Sequence, residues 1–272
     1  MDPILEVVDL TVAYPGSLLA ARLARSGQSP SSRPALEGVS FAVVRGEGVA
    51  VVGPNGAGKT TLFRAIAGLI RPIAGEVRLA PQARIAYLPQ RSQVDWAFPV
   101  TVADVVMMGL IQRIGWLRLP RRREARLARL AVHEALEQVG LGPLAGRPIG
   151  ELSGGEQQRM FLARAMVQGA ELLLLDESLA GLDAAAQEEI LRLLGGLRER
   201  GVAVLLATHD LNLAGGRFDR VMLLNRRLLG LGKAEEVLTT ERLHAAYGGQ
   251  LRLVQTAEGL AVLCDTCCEE RH

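Results

Sequence analysis

The sequence predicts an α/β fold in which a parallel sheet is covered by helices and interrupted by a helical insert. Three observations carry this. ELLLLD (171–176) and GVAVLLAT (201–208) are continuous apolar runs, the pattern of strands buried on both faces of a parallel sheet. From Gly53 onward such strands alternate with segments of helical period, the rhythm of βαβ units. Residues 91–150 break that rhythm and read as mostly helical.

Taken in order, residues 4–14, ILEVVDLTVAY, mix alternation with β-branched side chains and read as a strand. Residues 15–34, PGSLLAARLARSGQSPSSRP, are an insert whose second half has loop composition. ALEGVSFAVV and GVAVVG are two further strands, separated by Arg45, Gly46 and Glu47. IAYLP is a short strand. Leu127, Leu130, Ala131, Ala135, Leu136 and Val139 recur at helical spacing, and residues 184–200 form another helix. The chain shows no internal repeat. We expect one domain over 1–250, with a helical subdomain at about 91–165, followed by a C-terminal strand and cysteine-containing tail at 251–272.

Bulk properties narrow the function. The chain has 272 residues, 49% hydrophobic and 22% charged, which is ordinary globular composition. A formal charge of +2 gives no case for a nucleic-acid partner. No apolar run approaches the roughly 18 to 20 residues of a membrane span. The N-terminus, MDPILEVVDL, has no basic region before an apolar core, so no signal peptide is expected. These features predict a soluble, cytosolic chain unless a partner holds it at a membrane. All three cysteines, Cys264, Cys267 and Cys268, lie at the C-terminal end, which fits a reducing compartment.

The chemistry begins at residues 53–61, GPNGAGKTT, a G-x-x-x-x-G-K-T loop between the run VAVV and the apolar helix LFRAIAGL. Gly53, Gly56 and Gly58 let the backbone curl so that successive N–H groups point at phosphate oxygens, and Pro54, Asn55 and Ala57 of the same loop join the nucleotide-binding set. The helix that follows adds its positive dipole end. Lys59 reaches the β and γ phosphates, the Thr60 hydroxyl can ligate Mg²⁺, and Thr61 completes the motif. The second half of such a site is a carboxylate at the end of a buried strand. LLLLDES supplies Asp176 to orient Mg²⁺ through water and Glu177 to polarise the water that attacks the γ-phosphate. A third element is LSGGEQQR at 152–159, where Ser153 and Glu156 form a Ser-x-x-Glu capping box with Gly154 and Gly155 at the first helical N–H groups.

Phosphate loop, Asp-Glu pair and LSGGEQQR together resemble the ATP-binding cassette (ABC) ATPases from Ile4 to about Leu231. The resemblance implies that fold: a P-loop core, an N-terminal antiparallel β subdomain and an inserted helical subdomain. It implies ATP and Mg²⁺ as cofactors. Tyr14 resembles the aromatic that stacks on adenine, Gln90 the glutamine that senses Mg²⁺ and attacking water, and His209 the histidine that contacts the γ-phosphate. Ala180–Asp183, AGLD, resembles the loop after the catalytic glutamate, so Asp183 joins the nucleotide-binding set. In the family two such domains pair head to tail, and the Ser153–Gly155 helix start of one completes the ATP site of the other. A homodimer is therefore expected. Two departures stand out. Ser178 occupies the position where the family usually has proline, and a looser loop is expected there. The insert 15–34 puts the placing of Tyr14 in question.

The stretch YLPQRSQVDWAFPVTVADVV (87–106) holds one of the two tryptophans of the chain. In the family this segment lies against the membrane subunits. Trp96 and Phe98 then read either as docking anchors or as a small local core, one ring doing each being a third arrangement. Pro99 fixes the entry to a helix that Thr101 and Asp104 would cap. VDWAFPVTVADVVMMG, IGWLRLPRRREA, ALEQVGL and RPIGELSGGEQQRMFLARAM together look like the ATPases of manganese, zinc and iron uptake systems. That resemblance implies a multi-span membrane permease, an extracytoplasmic substrate-binding protein, and a peripheral location on the cytoplasmic face. The metal cargo would not touch this chain.

Other features have plainer readings beside functional ones. The six arginines between Arg118 and Arg129 read as a solvated helix face or as attraction to an anionic leaflet. CDTCCEERH, with Cys264, Cys267, Cys268 and His272, reads as a mobile tail or as half a zinc site. His133 and His244 read as ordinary helix residues. Two other functions remain open at this point: an importer for another solute, such as an iron–siderophore or cobalamin system, and a soluble non-transport ABC ATPase. The latter would carry a coiled-coil insert or two cassettes, and an exporter would fuse its membrane domain; neither feature is present.

Overall fold

The computed structural model describes residues 2–14, 34–110, 122–248, 251–256 and 259–264. Most of the insert 15–34, the start of the arginine run at 118–121, and Cys267, Cys268 and His272 lie outside the described residues. The chain divides into two compact units. The first comprises Met1–Val44, Gly48–Ala80 and Leu206–His272, and the second Arg45–Glu47 and Pro81–Leu205.

The first unit opens with β1 (Pro3–Val12), which alternates buried and outward residues. It pairs antiparallel with β2 (Leu36–Val44) on one side and β4 (Ala74–Leu79) on the other. This is the antiparallel sheet the resemblance implies. Its third strand, β4, escapes sequence reading because five of its six residues are exposed, leaving no alternation to see. β3 (Gly48–Val52) is wholly buried and pairs in parallel with β8 (Arg220–Asn225). β9 (Arg227–Gly232) then adds antiparallel to β8. Helices α1 (Lys59–Ile66), α6 (Leu211–Arg217), α7 (Ala234–Val237) and α8 (Thr240–Tyr247) belong to this unit. Ala50, Val52, Val221 and Leu223 form its core with Leu211, Ala214, Val237 and Leu243. At the end, β10 (Leu251–Thr256) and β11 (Gly259–Cys264) form an antiparallel pair where one strand was expected.

The second unit pairs β5 (Ile85–Leu88) in parallel with β6 (Leu172–Asp176). β7 (Ala203–Thr208) starts in this unit and ends in the first. Both β6 and β7 are buried throughout, as their unbroken apolar runs predict. The helices are α2 (Val102–Met108), α3 (Arg122–Gln138), α4 (Gly154–Gln168) and α5 (Ala184–Glu199). α3 packs on α2 and α4. Its stripe is offset from the one the leucines suggest: Leu127 and Leu130 are exposed, while Ala128, Val132, Ala135 and Leu136 are buried.

The end of α4 fixes the start of β5. α4 stops at Gly169, whose φ of 67° is the left-handed C-cap geometry. There Arg84 Nε donates to the Gly169 carbonyl at 2.9 Å, and Gln168 Nε2 donates to the Ile85 carbonyl at 2.8 Å. No helix among the described residues is long and apolar enough to cross a membrane.

Candidate functional site

In the first unit, the loop after β3 is shaped by what its glycines lack. A Cβ on Gly53 would sit 2.1 Å from the Leu224 carbonyl oxygen. Gly58 has φ of 98°, and a Cβ there would lie 2.6 Å from Leu36 Cδ2 and 2.7 Å from the Ala35 oxygen. Around Gly56 a Cβ would meet nothing within 4 Å, so the loop faces open space at that point. Between them the Ala57 N–H donates to the Pro54 carbonyl at 3.1 Å, and the Ala57 carbonyl accepts from the Arg226 N–H at 2.8 Å. Asn55 is exposed and Thr60 half-buried.

α1 starts directly from this loop. Its N-cap, Gly58, offers no side-chain hydrogen bond, and no acidic residue stands in the first turn. Neither the cap nor the first turn offers a negative charge to the positive end of the helix dipole, which fits an anionic phosphate. Lys59 is buried, and its ammonium donates to the carbonyls of Gly53 at 2.8 Å and Pro54 at 3.2 Å. The Tyr14 hydroxyl lies 3.1 Å from Thr61 Oγ1, so the ring stands beside the loop even though the insert follows it. Tyr14 is 46% exposed. His209 is exposed between the end of β7 and α6, next to Asp210, whose carboxylate caps α6 by accepting from the Leu213 N–H at 2.9 Å.

In the second unit, β6 ends on Asp176, which is fully buried. The Tyr87 hydroxyl donates to Asp176 Oδ2 at 3.1 Å. Glu177 follows with φ of 50°, in the left-handed region that few non-glycine residues adopt. Gln90 Nε2 donates to Glu177 Oε2 at 2.9 Å, joining two residues that the sequence assigns to one reaction. Strained backbone of this kind costs roughly 1–3 kcal/mol and is held where the surroundings over-determine it. Ser178 stands beside the acid pair. It is 2% exposed, packed rather than loose, and its Oγ finds no hydrogen-bond partner among the described residues.

The capping box forms as the sequence predicts. The Ser153 N–H donates to Glu156 Oε2 at 2.7 Å, and the Glu156 N–H donates to Ser153 Oγ at 3.4 Å. The Ser153 backbone N–H holds the Glu156 carboxyl below the usual carboxylate range. Gly154 and Gly155 form the first turn of α4. Gly155 also has a packing role, since a Cβ there would come within 3.0 Å of Ala186 Cβ. Asp183 caps α5, its carboxylate accepting from the Ala186 N–H at 2.8 Å.

The connector after Gln90 divides its aromatics. Trp96 stacks edge-to-face on Phe161 of α4, ring centroids 6.0 Å apart, while Phe98 is 55% exposed. α2 starts as expected, with Thr101 and Asp104 in a second reciprocal capping box. Sequence reasoning gave no role to Tyr87, Phe161 or Gly150, the last lying where a Cβ would meet the Trp96 carbonyl oxygen at 2.7 Å. Tyr87 carried a usable signal: it lies at the middle of a short strand, three residues before Gln90.

A glycine-rich phosphate loop feeding an uncapped helix, with paired carboxylates closing a buried strand, defines a P-loop nucleotide-binding protein. The ABC transporter family profile matches residues 36–180. The zinc transport system ATP-binding protein TroB of Treponema pallidum is 44% identical over 252 residues, covering 90% of this chain and 87% of that one. The manganese transport system ATP-binding protein MntB of Bacillus subtilis is 42% identical over 229 residues, covering 82% and 90%. Among solved structures, a metal-chelate type ABC transporter in an inward-facing conformation is 28% identical, with a TM-score of 0.77 and 96% of both chains covered. The chain belongs to the ABC transporter ATP-binding family.

Proposed function

We propose that this chain is the ATP-hydrolysing subunit of an ABC importer for divalent metal ions, namely manganese, zinc or iron. It energises transport through a separate multi-span permease. The observation that carries the cargo is that relatives 44% and 42% identical, spanning most of the chain, are named for zinc and manganese transport. The ATPase reading rests on the phosphate loop and the Gln90–Glu177 pair.

The residue roles follow from chemistry. Lys59 exchanges its bonds to the Gly53 and Pro54 carbonyls for phosphate oxygens, and Tyr14 stacks on the adenine. Mg²⁺ carried with ATP would supply charge neutralisation for the phosphate oxygens. The Thr60 hydroxyl and the Asp176 carboxylate, both hard oxygen donors, would hold it. No group of three or more His, Cys, Asp or Glu among the described residues could hold an ion alone, which suits an ion carried by the nucleotide. Glu177 takes the proton of the attacking water, Gln90 orients that water, and His209 contacts the γ-phosphate. Ser153, Gly154, Gly155 and Glu156 serve the nucleotide of a second copy, with Asp183 beside it, so the working unit is a homodimer. An extracytoplasmic binding protein delivers the cargo, and this chain sits on the cytoplasmic face of the membrane, with Phe98 as a docking contact.

The test is whole-cell metal content in a deletion strain, rescued with the native chain or with Glu177→Gln. A fall in manganese, zinc or iron restored only by the native chain is the expected result. Unchanged metals under limitation, with redundant transporters removed, would overturn the cargo and leave the ATPase standing.

A further inference from the structure

We infer that Tyr87 is a positioning residue for the Asp176 carboxylate, so that β5 and the segment leaving it supply one donor to each acid of the hydrolytic pair. The register makes this possible. β5 and β6 run parallel, with Tyr87 opposite Leu174. Asp176 lies two residues further along β6, so it projects from the same sheet face as Leu174. The diagonal across one strand is about 7–8 Å, within reach of a long aromatic side chain and beyond a short one. The phenol spans it and donates to Oδ2 at 3.1 Å. Three residues on, past Pro89, Gln90 donates to Glu177 at 2.9 Å.

The arrangement has consequences for both acids. Asp176 is fully buried at the end of a buried strand, where a donor to the carboxylate stabilises its charged form and fixes the plane of the group. Glu177 departs from the strand at φ of 50°, so its direction depends on where Asp176 is held. One donor lies on a short strand whose start is pinned by Arg84 and Gln168, and the other lies two residues beyond its end. The same strand leads into the connector bearing Trp96 and Phe98. A displacement of β5 along its axis would therefore be read by both carboxylates together.

This inference rests on the reading of Asp176 as the Mg²⁺-orienting acid, and the test separates the two. The full chain is compared as wild type, Tyr87→Phe and Asp176→Asn. ATP binding is measured in EDTA, and Mn²⁺ affinity of the protein–ATP complex by electron paramagnetic resonance. Tyr87→Phe is expected to bind ATP in EDTA like wild type but to hold Mn²⁺ about tenfold more weakly, the scale of a hydrogen bond to a charged group. Its Mg²⁺ midpoint for hydrolysis should rise more than its kcat at saturating Mg²⁺ falls. Unchanged Mn²⁺ affinity in Tyr87→Phe, with loss in Asp176→Asn, overturns the role of Tyr87 alone. Unchanged affinity in both overturns the reading of Asp176. Should Tyr87→Phe fail to fold, 3-fluorotyrosine at position 87 gives an independent readout. Its ¹⁹F resonance should shift when Mg²⁺ joins the ATP complex and stay still in Asp176→Asn; a resonance indifferent to Mg²⁺ in the otherwise native chain overturns the inference.

Discussion

The loop Gly53–Gly58 takes its shape from residues without side chains, whereas Asp176 and Glu177 are held by side chains from another strand. In the loop, neighbouring backbone fills the places where Cβ atoms would stand: the Leu224 carbonyl beside Gly53, the Ala35 carbonyl beside Gly58. At the acids, Tyr87 reaches across from β5 and Gln90 from just beyond its end. The first arrangement leaves no room for a side chain at Gly53 or Gly58. The second spans more than eighty residues of chain and fails by degrees, one hydrogen bond at a time.

The comparison is broken most directly at Glu177. Glu177→Gln keeps an acceptor for Gln90 and removes the base. Turnover should fall at least about 100-fold, the lower end of what a general base contributes. ATP binding should persist and the dimer should accumulate in the closed state. Measuring hydrolysis and nucleotide binding on the same preparation checks this, and turnover near wild type would remove Glu177 from the reaction.

The loop should respond differently. Gly58→Ala forces a Cβ to within 2.6 Å of Leu36 Cδ2 on a backbone of φ 98°. Positive φ on a non-glycine residue and overpacking together cost roughly 3 kcal/mol. Chemical denaturation should show that loss and nucleotide binding should go with it. A variant that kept both stability and ATP binding would mean that the loop is less tightly built than its contacts indicate.

The connector offers a similar contrast between two rings of similar kind. Trp96→Ala removes an aromatic pair and part-buried area, a loss of about 2 kcal/mol. Phe98→Ala, at an exposed site, should leave stability within about 0.5 kcal/mol of wild type while reducing transport-coupled hydrolysis in the reconstituted complex. Equal destabilisation by both would return Phe98 to the local core.

What the sequence made legible follows the same division. The phosphate loop, the capping boxes and the buried strands β3, β6 and β7 are written in short contiguous patterns, and all were readable. So was Gln90, through its resemblance. The Tyr87–Asp176 bond was not, because parallel register pairs residues far apart in the chain and no local pattern encodes it. β4 was invisible because its exposed residues carry no alternation; of the positions read at helical spacing in α3 and just after it, Ala135, Leu136 and Val139 are buried, whereas Leu127 and Leu130 are exposed.

Ser178 tests how far side chains at the acid pair are optimised. Its hydroxyl is buried without a partner among the described residues, which carries a desolvation cost with no return. Ser178→Ala should raise stability by roughly 1 kcal/mol and leave hydrolysis near wild type. A fall in the melting temperature would mean that the hydroxyl makes a bond in solution, by way of water.

The smallest effect concerns the second unit's helix starts. In each capping box the acid is held below the usual carboxylate range: Glu156 chiefly by the Ser153 backbone N–H, Asp104 chiefly by the Thr101 hydroxyl. A carboxyl whose value is lowered by folding contributes stability that is fully present above its unfolded value, about 4, and lost as pH falls through the folded value. Both side chains are largely solvated, so screening reduces each contribution to a few tenths of a kcal/mol. Glutamine at position 156 can still accept from the Ser153 N–H but cannot titrate. Glu156→Gln should therefore be slightly less stable than wild type at pH 7 and converge with it near pH 3. Melting curves across that range decide the matter: a constant gap would show that Glu156 acts by shape rather than by charge, and the cap would then belong with the glycine loop, whose geometry no proton can change.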